Sequence, residues 1–135
     1  VMTVNPLSKD NSVRAIFQEL KAGHGVAILV DQWAGNDGLW VDFFDAKTST
    51  TSIPARLSEK TGCALVSAYC LRKAPGHYEI HIEKPIARNL DQPGWESAVT
   101  RDLNKVLDSQ ILEHPEQWIW GHLRWINKPA NLRQT

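Results

Sequence analysis

Cysteine, methionine and tyrosine are scarce in this chain: two Cys, one Met and two Tyr in 135 residues. Two Cys make no disulfide framework. Cys63 and Cys70 stand on what reads as one strand, about 23 Å apart at ~3.3 Å per residue, too far to bond to each other. A reduced, cytosolic setting is the simplest expectation. Charge of one sign is missing too. The 15 Lys and Arg balance the 15 Asp and Glu, which argues against a general nucleic-acid binder. Long apolar runs are absent, the longest being Val26 to Val30, so neither a membrane span nor a signal peptide fits. The chain opens Val1-Met2 with no targeting segment, which suits a small whole protein or a piece of a longer one. There is no Gly-rich phosphate loop and no G-x-S-x-G elbow. His24, His77 and His81 follow no metal-ligand spacing and the Cys do not complete one, so neither a metal nor a cofactor is expected.

What is present reads as one α/β domain over residues 1–135. After a polar lead-in, Asn11 or Ser12 can cap a helix with apolar positions Val13, Ile16, Phe17 and Leu20, ended by Gly23. Val26 to Val30 is short, continuous and β-branched, the pattern of a strand buried on both faces. Gly35 to Gly38 breaks the chain before a second strand, Leu39 to Phe44, and residues 45–52 form a polar Thr/Ser stretch. Ser52 caps a short helix with Pro54 in its first turn and Gly62 past its end. Cys63 to Tyr69 reads as the second buried strand. A turn at Ala74 to His77 leads into Tyr78 to Glu83, which alternates and pairs antiparallel with one wet face. A Pro-bearing connection over residues 85–94 follows. Trp95, Val99, Leu103, Val106, Leu107 and Ile111 mark the longest helix, ended at Pro115. The order predicts a mixed, largely parallel sheet flanked by helices, with right-handed crossovers.

In such sheets ligands bind beyond the carboxyl ends of the strands, where Asp31 and Gln32 stand. Asp31 either caps the following loop or faces a cleft. Arg56, between Ala55 and Leu57, either pairs with Asp31 or Asp42 or holds a ligand phosphate or carboxylate. The segment from Pro115 to Trp125 holds three of the six Trp together with Glu116, His122 and Arg124. From Trp118 to Thr135 the chain carries three cations, Arg124, Lys128 and Arg133, and no acid. Such a segment is a packed lid, a wall that receives an anionic and partly apolar ligand, or both at once. Glu116, His122 and Arg124 join Asp31, Gln32 and Arg56 as candidate substrate contacts.

Several strings resemble the bacterial lipid A biosynthesis acyltransferases, of the lysophospholipid acyltransferase superfamily. In order they are L-K-A-G at Leu20–Gly23, V-A-I-L-V-D-Q at Val26–Gln32, the paired Phe and Thr-rich loop at Phe43–Thr51, P-A-R-L-S at Pro54–Ser58, T-G-C-A-L-V at Thr61–Val66 and P-E-Q-W-I-W-G-H-L-R-W at Pro115–Trp125. Asp45 stands where the family usually has Gly, and Leu123 where it often has Arg. The family's catalytic signature, a His followed five positions on by Asp or Glu, is met by none of the five His. The family's N-terminal membrane anchor has no counterpart.

The resemblance implies the C-terminal portion of a glycerolipid-acyltransferase-like domain. The full-length enzyme would take a fatty acyl group from acyl-carrier protein, or another acyl thioester donor, to a hydroxyl of a phosphorylated glucosamine lipid. It would work against a membrane surface, on the cytoplasmic face of the bacterial inner membrane. The signature His would be the general base, oriented by its acidic partner. This chain, soluble on its own, would supply one wall of the cleft and no catalytic residue. It would expose an apolar face and could self-associate. A non-enzymatic lipid- or protein-binding remnant, and an acyltransferase for another glycolipid acceptor, are the alternatives.

Overall fold

The helical spacing of Ile16, Phe17 and Leu20 produces a first helix, α1, over Ser12–Lys21 in the computed structural model, which describes residues 12–87 and 93–126. Asn11, the other candidate cap, lies outside the described residues, as do the lead-in and the middle of the 85–94 connection. Gly23 adopts φ +82° and closes the helix with a Schellman pair: Gly23 N–H donates to the Leu20 carbonyl at 3.1 Å and His24 N–H to Glu19 at 3.0 Å. A β-branched side chain could hold that φ only with strain.

Strands β1, Leu39–Phe43, and β2, Ala46–Thr50, form an antiparallel hairpin in register from Leu39↔Thr50 to Phe43↔Ala46. The 45–52 stretch, expected to be a polar loop, is therefore mostly strand. Thr48, Ser49 and Thr50 are fully buried. Helix α2, Ile53–Thr61, has Pro54 in its first turn and Gly62 at φ +77° after its end. Ser52 occupies the cap position without a side-chain cap bond; instead the Thr51 hydroxyl accepts Ile53 N–H at 3.3 Å. Strands β3, Ala68–Ala74, and β4, His77–Ile82, make a second antiparallel hairpin. Helix α3 spans Trp95–Glu113, and Pro115 opens a 3-10 turn, Pro115–Gln117. Trp95, Val99 and Leu103 of α3 bury against Ala55 of α2, with Leu65 and Ile86 beside them. Full burial of such side chains is worth about 1.5–3 kcal/mol each.

Among the described residues the sheets are these two antiparallel pairs, so the largely parallel sheet expected from the sequence is not formed. The reason is a lack of neighbours. Parallel strands cannot pair through a tight turn and need a partner brought in by a crossover. Residues 26–30 run without helix or strand pairing, and among the described residues they make no backbone–backbone hydrogen bond. Among the described residues, 63–67 make backbone–backbone bonds on one side only, the Ser67 carbonyl accepting Glu83 N–H at 2.9 Å and the Leu65 carbonyl accepting Ile86 N–H at 2.8 Å, while Cys63 bonds the Ser58 and Thr61 hydroxyls of α2. Neither stretch is buried on both faces: Leu29 is 78% exposed and Val66 41%.

On the β3–β4 hairpin, Ala68, Cys70 and Arg72 stand opposite Ile82, Ile80 and Tyr78. These six share one face, and all are exposed. β4 is thus wet on both faces, His77 and Glu79 being exposed as well, and its apolar face of Tyr78, Ile80 and Ile82 is left uncovered among the described residues. Sheet faces of this kind associate. The chain in dilute solution is therefore expected to sediment above monomer mass and to bind a hydrophobic dye; a monodisperse monomer that binds none would contradict this.

Candidate functional site

The carboxyl end of the 26–30 stretch is where the polar residues gather. Arg124 is fully buried, and its guanidinium reaches back to that end. Nη1 donates to the Gln32 carbonyl at 2.6 Å and to the Ser49 carbonyl at 2.8 Å. Nη2 donates to the Thr50 hydroxyl at 2.9 Å, to the Val30 carbonyl at 3.4 Å and to Asn104 Oδ1 at 3.5 Å. The Arg124 carbonyl in turn accepts the Thr48 hydroxyl. The guanidinium carbon lies 5.0 Å from the centre of the Phe43 ring, a cation–π contact. Burial pulls the Arg124 pKa down to about 10, opposed by the charges of Asp31 and Asp108.

Asn104 completes the knot from α3. Its Nδ2 donates to the Asp42 carbonyl at 2.8 Å and to the Thr50 hydroxyl at 3.1 Å. Asp108, one turn on, accepts Phe44 N–H at 2.9 Å. That bond fixes the hairpin corner, where Phe44 holds φ +51°. Desolvation raises the Asp108 pKa, and the Phe44 bond and Arg124 work against the rise. Sequence reading missed Asn104, Asp108 and the three hydroxyls of β2. A polar residue at an apolar helix position, as Asn104 is beside Leu103, was the available signal.

The Pro115–Trp125 segment packs with one side and shows the other. Trp125 and Trp118 lie 5.3 and 6.0 Å from the Phe43 ring, centre to centre. Ile119, Trp120 and Leu123 are exposed. His122 lies next to the strand end: its Nε2 accepts Trp33 N–H at 3.2 Å, so that nitrogen carries no proton. Asp31 Oδ1, the Trp33 indole N–H and Arg124 Nε are buried there with no hydrogen-bond partner among the described residues.

Four of the six candidate residues, Asp31, Gln32, His122 and Arg124, are thus brought together. The other two are elsewhere. Arg56 is exposed on α2 and faces Glu96 of α3 at 4.0 Å, not Asp31 or Asp42, and Asp42 is bound to Lys47 at 2.6 Å. A surface pair like Arg56–Glu96 contributes about 0–1 kcal/mol. Glu116 is exposed beside His114 at 4.0 Å. Lys128 and Arg133 lie outside the described residues. Arg124, expected at a ligand surface, is interior, and the donors described above are spent on the protein itself.

Alongside the polar knot runs a cavity of about 580 Å³, walled by residues 26–30 and 63–69 and floored by Leu103, Val106 and Leu107 of α3. Cys63 and Cys70 are free thiols. Among the described residues no group of His, Cys, Asp and Glu is placed to hold a metal ion, and no helix is long and apolar enough to cross a membrane.

The clamp makes a measurable claim. Arg124→Lys keeps the charge but cannot span carbonyls on both sides of the knot, and each buried acceptor left bare costs about 1–3 kcal/mol. Urea denaturation is expected to show a loss of about 2–4 kcal/mol. A change within ~0.5 kcal/mol, the range of ordinary surface substitutions, would show that the clamp carries no stability.

Comparison with known proteins identifies the family. The family described as bacterial lipid A biosynthesis acyltransferase matches residues 3–127. The chain is 30% identical over 123 residues to the lipid A biosynthesis palmitoleoyltransferase of Escherichia coli (strain K12), and equally to a lipid A biosynthesis acyltransferase of Shigella flexneri. Each alignment covers 89% of this chain and 39% of the relative, so the chain spans well under half the length of the curated relatives it matches. By the extent of the family match, the chain belongs to the bacterial lipid A biosynthesis acyltransferases.

Proposed function

We propose that this chain is the scaffold portion of an enzyme that moves a fatty acyl group from an acyl-carrier-protein thioester to a hydroxyl of a phosphorylated glucosamine lipid. The observation that carries the reading is the family match across residues 3–127. The general base comes from outside this chain, because none of its five His has an acid five positions on. Contact with the cytoplasmic face of the inner membrane likewise belongs to the whole protein.

Within the chain, Asp31, Gln32 and His122 are the substrate-facing groups. Asp31 holds a buried carboxylate oxygen that no described protein donor fills, and a substrate hydroxyl or amide suits it. His122 accepts Trp33 N–H on Nε2, which leaves an Nδ1–H to donate. Arg124 acts as a positioning residue that holds the Val30 and Gln32 carbonyls in place. Arg56 and Glu116, both exposed and apart from the knot, serve as outlying contacts for phosphate and headgroup.

The chain by itself is expected to transfer no acyl group from acyl-carrier protein to a lipid A precursor. Turnover above background that disappears in His122→Ala would place the base in this chain and overturn the reading. In the whole protein, Asp31→Asn is expected to lower kcat/KM per folded molecule about tenfold, ~1.4 kcal/mol, besides a fall in melting temperature as Arg124 loses a compensating charge. Loss of melting temperature with activity per folded molecule intact would assign Asp31 to the scaffold instead.

A further inference from the structure

The cavity beside the polar knot has walls of an uncommon kind. Residues 65 and 67 turn their carbonyls to the 83–86 segment. Backbone groups alternate sides along an extended chain, so residues 64, 66 and 68 turn theirs to the opposite edge, as Cys70 and Arg72 do further along. At Arg72 that edge is already taken, and by a surrogate: Gln117 Oε1 accepts Arg72 N–H at 2.8 Å and Gln117 Nε2 donates to the Arg72 carbonyl at 3.3 Å. A side-chain amide here makes the two bonds a neighbouring strand would make. From Ala64 to Ala68 the same edge borders the cavity. Across it lies the 26–30 stretch, whose backbone makes no backbone–backbone bond among the described residues.

We infer that the trough between residues 26–30 and 64–68 receives one extended segment of polypeptide, which pairs as a β-strand and comes from the portion of the protein that the relatives have and this chain lacks. Sixty-one percent of each relative's length, the complement of the 39% aligned, is available to supply it. A fatty chain would fill the volume but satisfy none of the amides and carbonyls on the two walls, whereas a strand answers both rows at once. Alternate side chains of the incoming strand would meet Leu103, Val106 and Leu107 on α3, so that face of it is apolar. The inference stands apart from the proposed reaction, since it concerns backbone pairing alone.

Amide hydrogen exchange, followed by residue, tests it without any substitution. The chain as it stands and a longer protein that includes it are compared at equal concentration. Alternate amides along residues 27–30, together with those of 64 and 66, are expected to exchange freely in the chain and to be slowed on the order of a hundredfold or more in the longer protein. Amides of α3 serve as the control for global opening. Equal exchange in the two would overturn the inference. Protection that appears in the chain alone and rises with its concentration would also overturn it, by assigning the trough to a second copy. Protection produced in the chain by a fatty acid to the same degree would overturn it in favour of a lipid occupant.

Discussion

A single cation without a contacting carboxylate holds this chain together. Arg124 is fully buried, and all five of its hydrogen bonds go to uncharged oxygens: three carbonyls, a hydroxyl and a side-chain amide. Taking a guanidinium out of water is costly, and the drop of its pKa to about 10 records that cost. Planar geometry is what makes the exchange tolerable. A fork with five donors can serve acceptors that converge from three directions, and no other side chain can. The acceptors come from Val30 and Gln32 at one strand end, from Ser49 and Thr50 on β2, and from Asn104 on α3. Asp31 and Asp108 supply compensating charge without contact. Remove the fork and three separate pieces of backbone lose a common partner.

That constraint explains why β2 is polar. Thr48, Ser49 and Thr50 would be poor core residues if their oxygens had nothing to bind. Here Thr48 donates to the Arg124 carbonyl, Ser49 to the Gly35 carbonyl, and Thr50 sits between Arg124 and Asn104. Gly38 has its absent Cβ for the same reason: a methyl there would lie 2.8 Å from the Ala34 Cβ and collide with the Ser49 hydroxyl. The hairpin, the loop before it and the C-terminal segment are one hydrogen-bonded unit, with the Phe43, Phe44 and Trp125 rings packed over it.

How much of this the sequence revealed depends on how local the signal is. The helices were legible because a 3.6-residue period is written within the helix itself, and α3 runs from Trp95 to Glu113 as its spacing required. The turn of the β3–β4 hairpin was legible because, at Gly76 with φ +76°, it is local too, whereas the strand before it, expected over residues 63–69, runs Ala68–Ala74. The largely parallel sheet was expected wrongly, because a strand's pairing depends on neighbours that its own residues do not specify. The hydroxyl run 48–50 read as a loop since composition does not say whether a hydroxyl meets water or an arginine. Arg124 was singled out by its Trp-rich, acid-free setting, yet nothing in that setting shows that the carbonyls of residues 30, 32 and 49 converge on it. For Arg56 the partner is Glu96, a first-turn residue of α3, which only the packing of α2 on α3 brings near.

The contrast between the two halves of the architecture follows from what each kind of bond requires. The polar knot is self-sufficient in its main lines: its donors and acceptors meet within the chain, and it holds Asp31, Gln32 and His122 at one place. The apolar part is not. Residues 26–30 and 63–67 have the residue types of central strands, but here Leu29 and Val66 face outward, and among the described residues the backbone of 26–30 makes no backbone–backbone bond. Hydrophobic patterning is a statement about neighbours as much as about the segment that carries it.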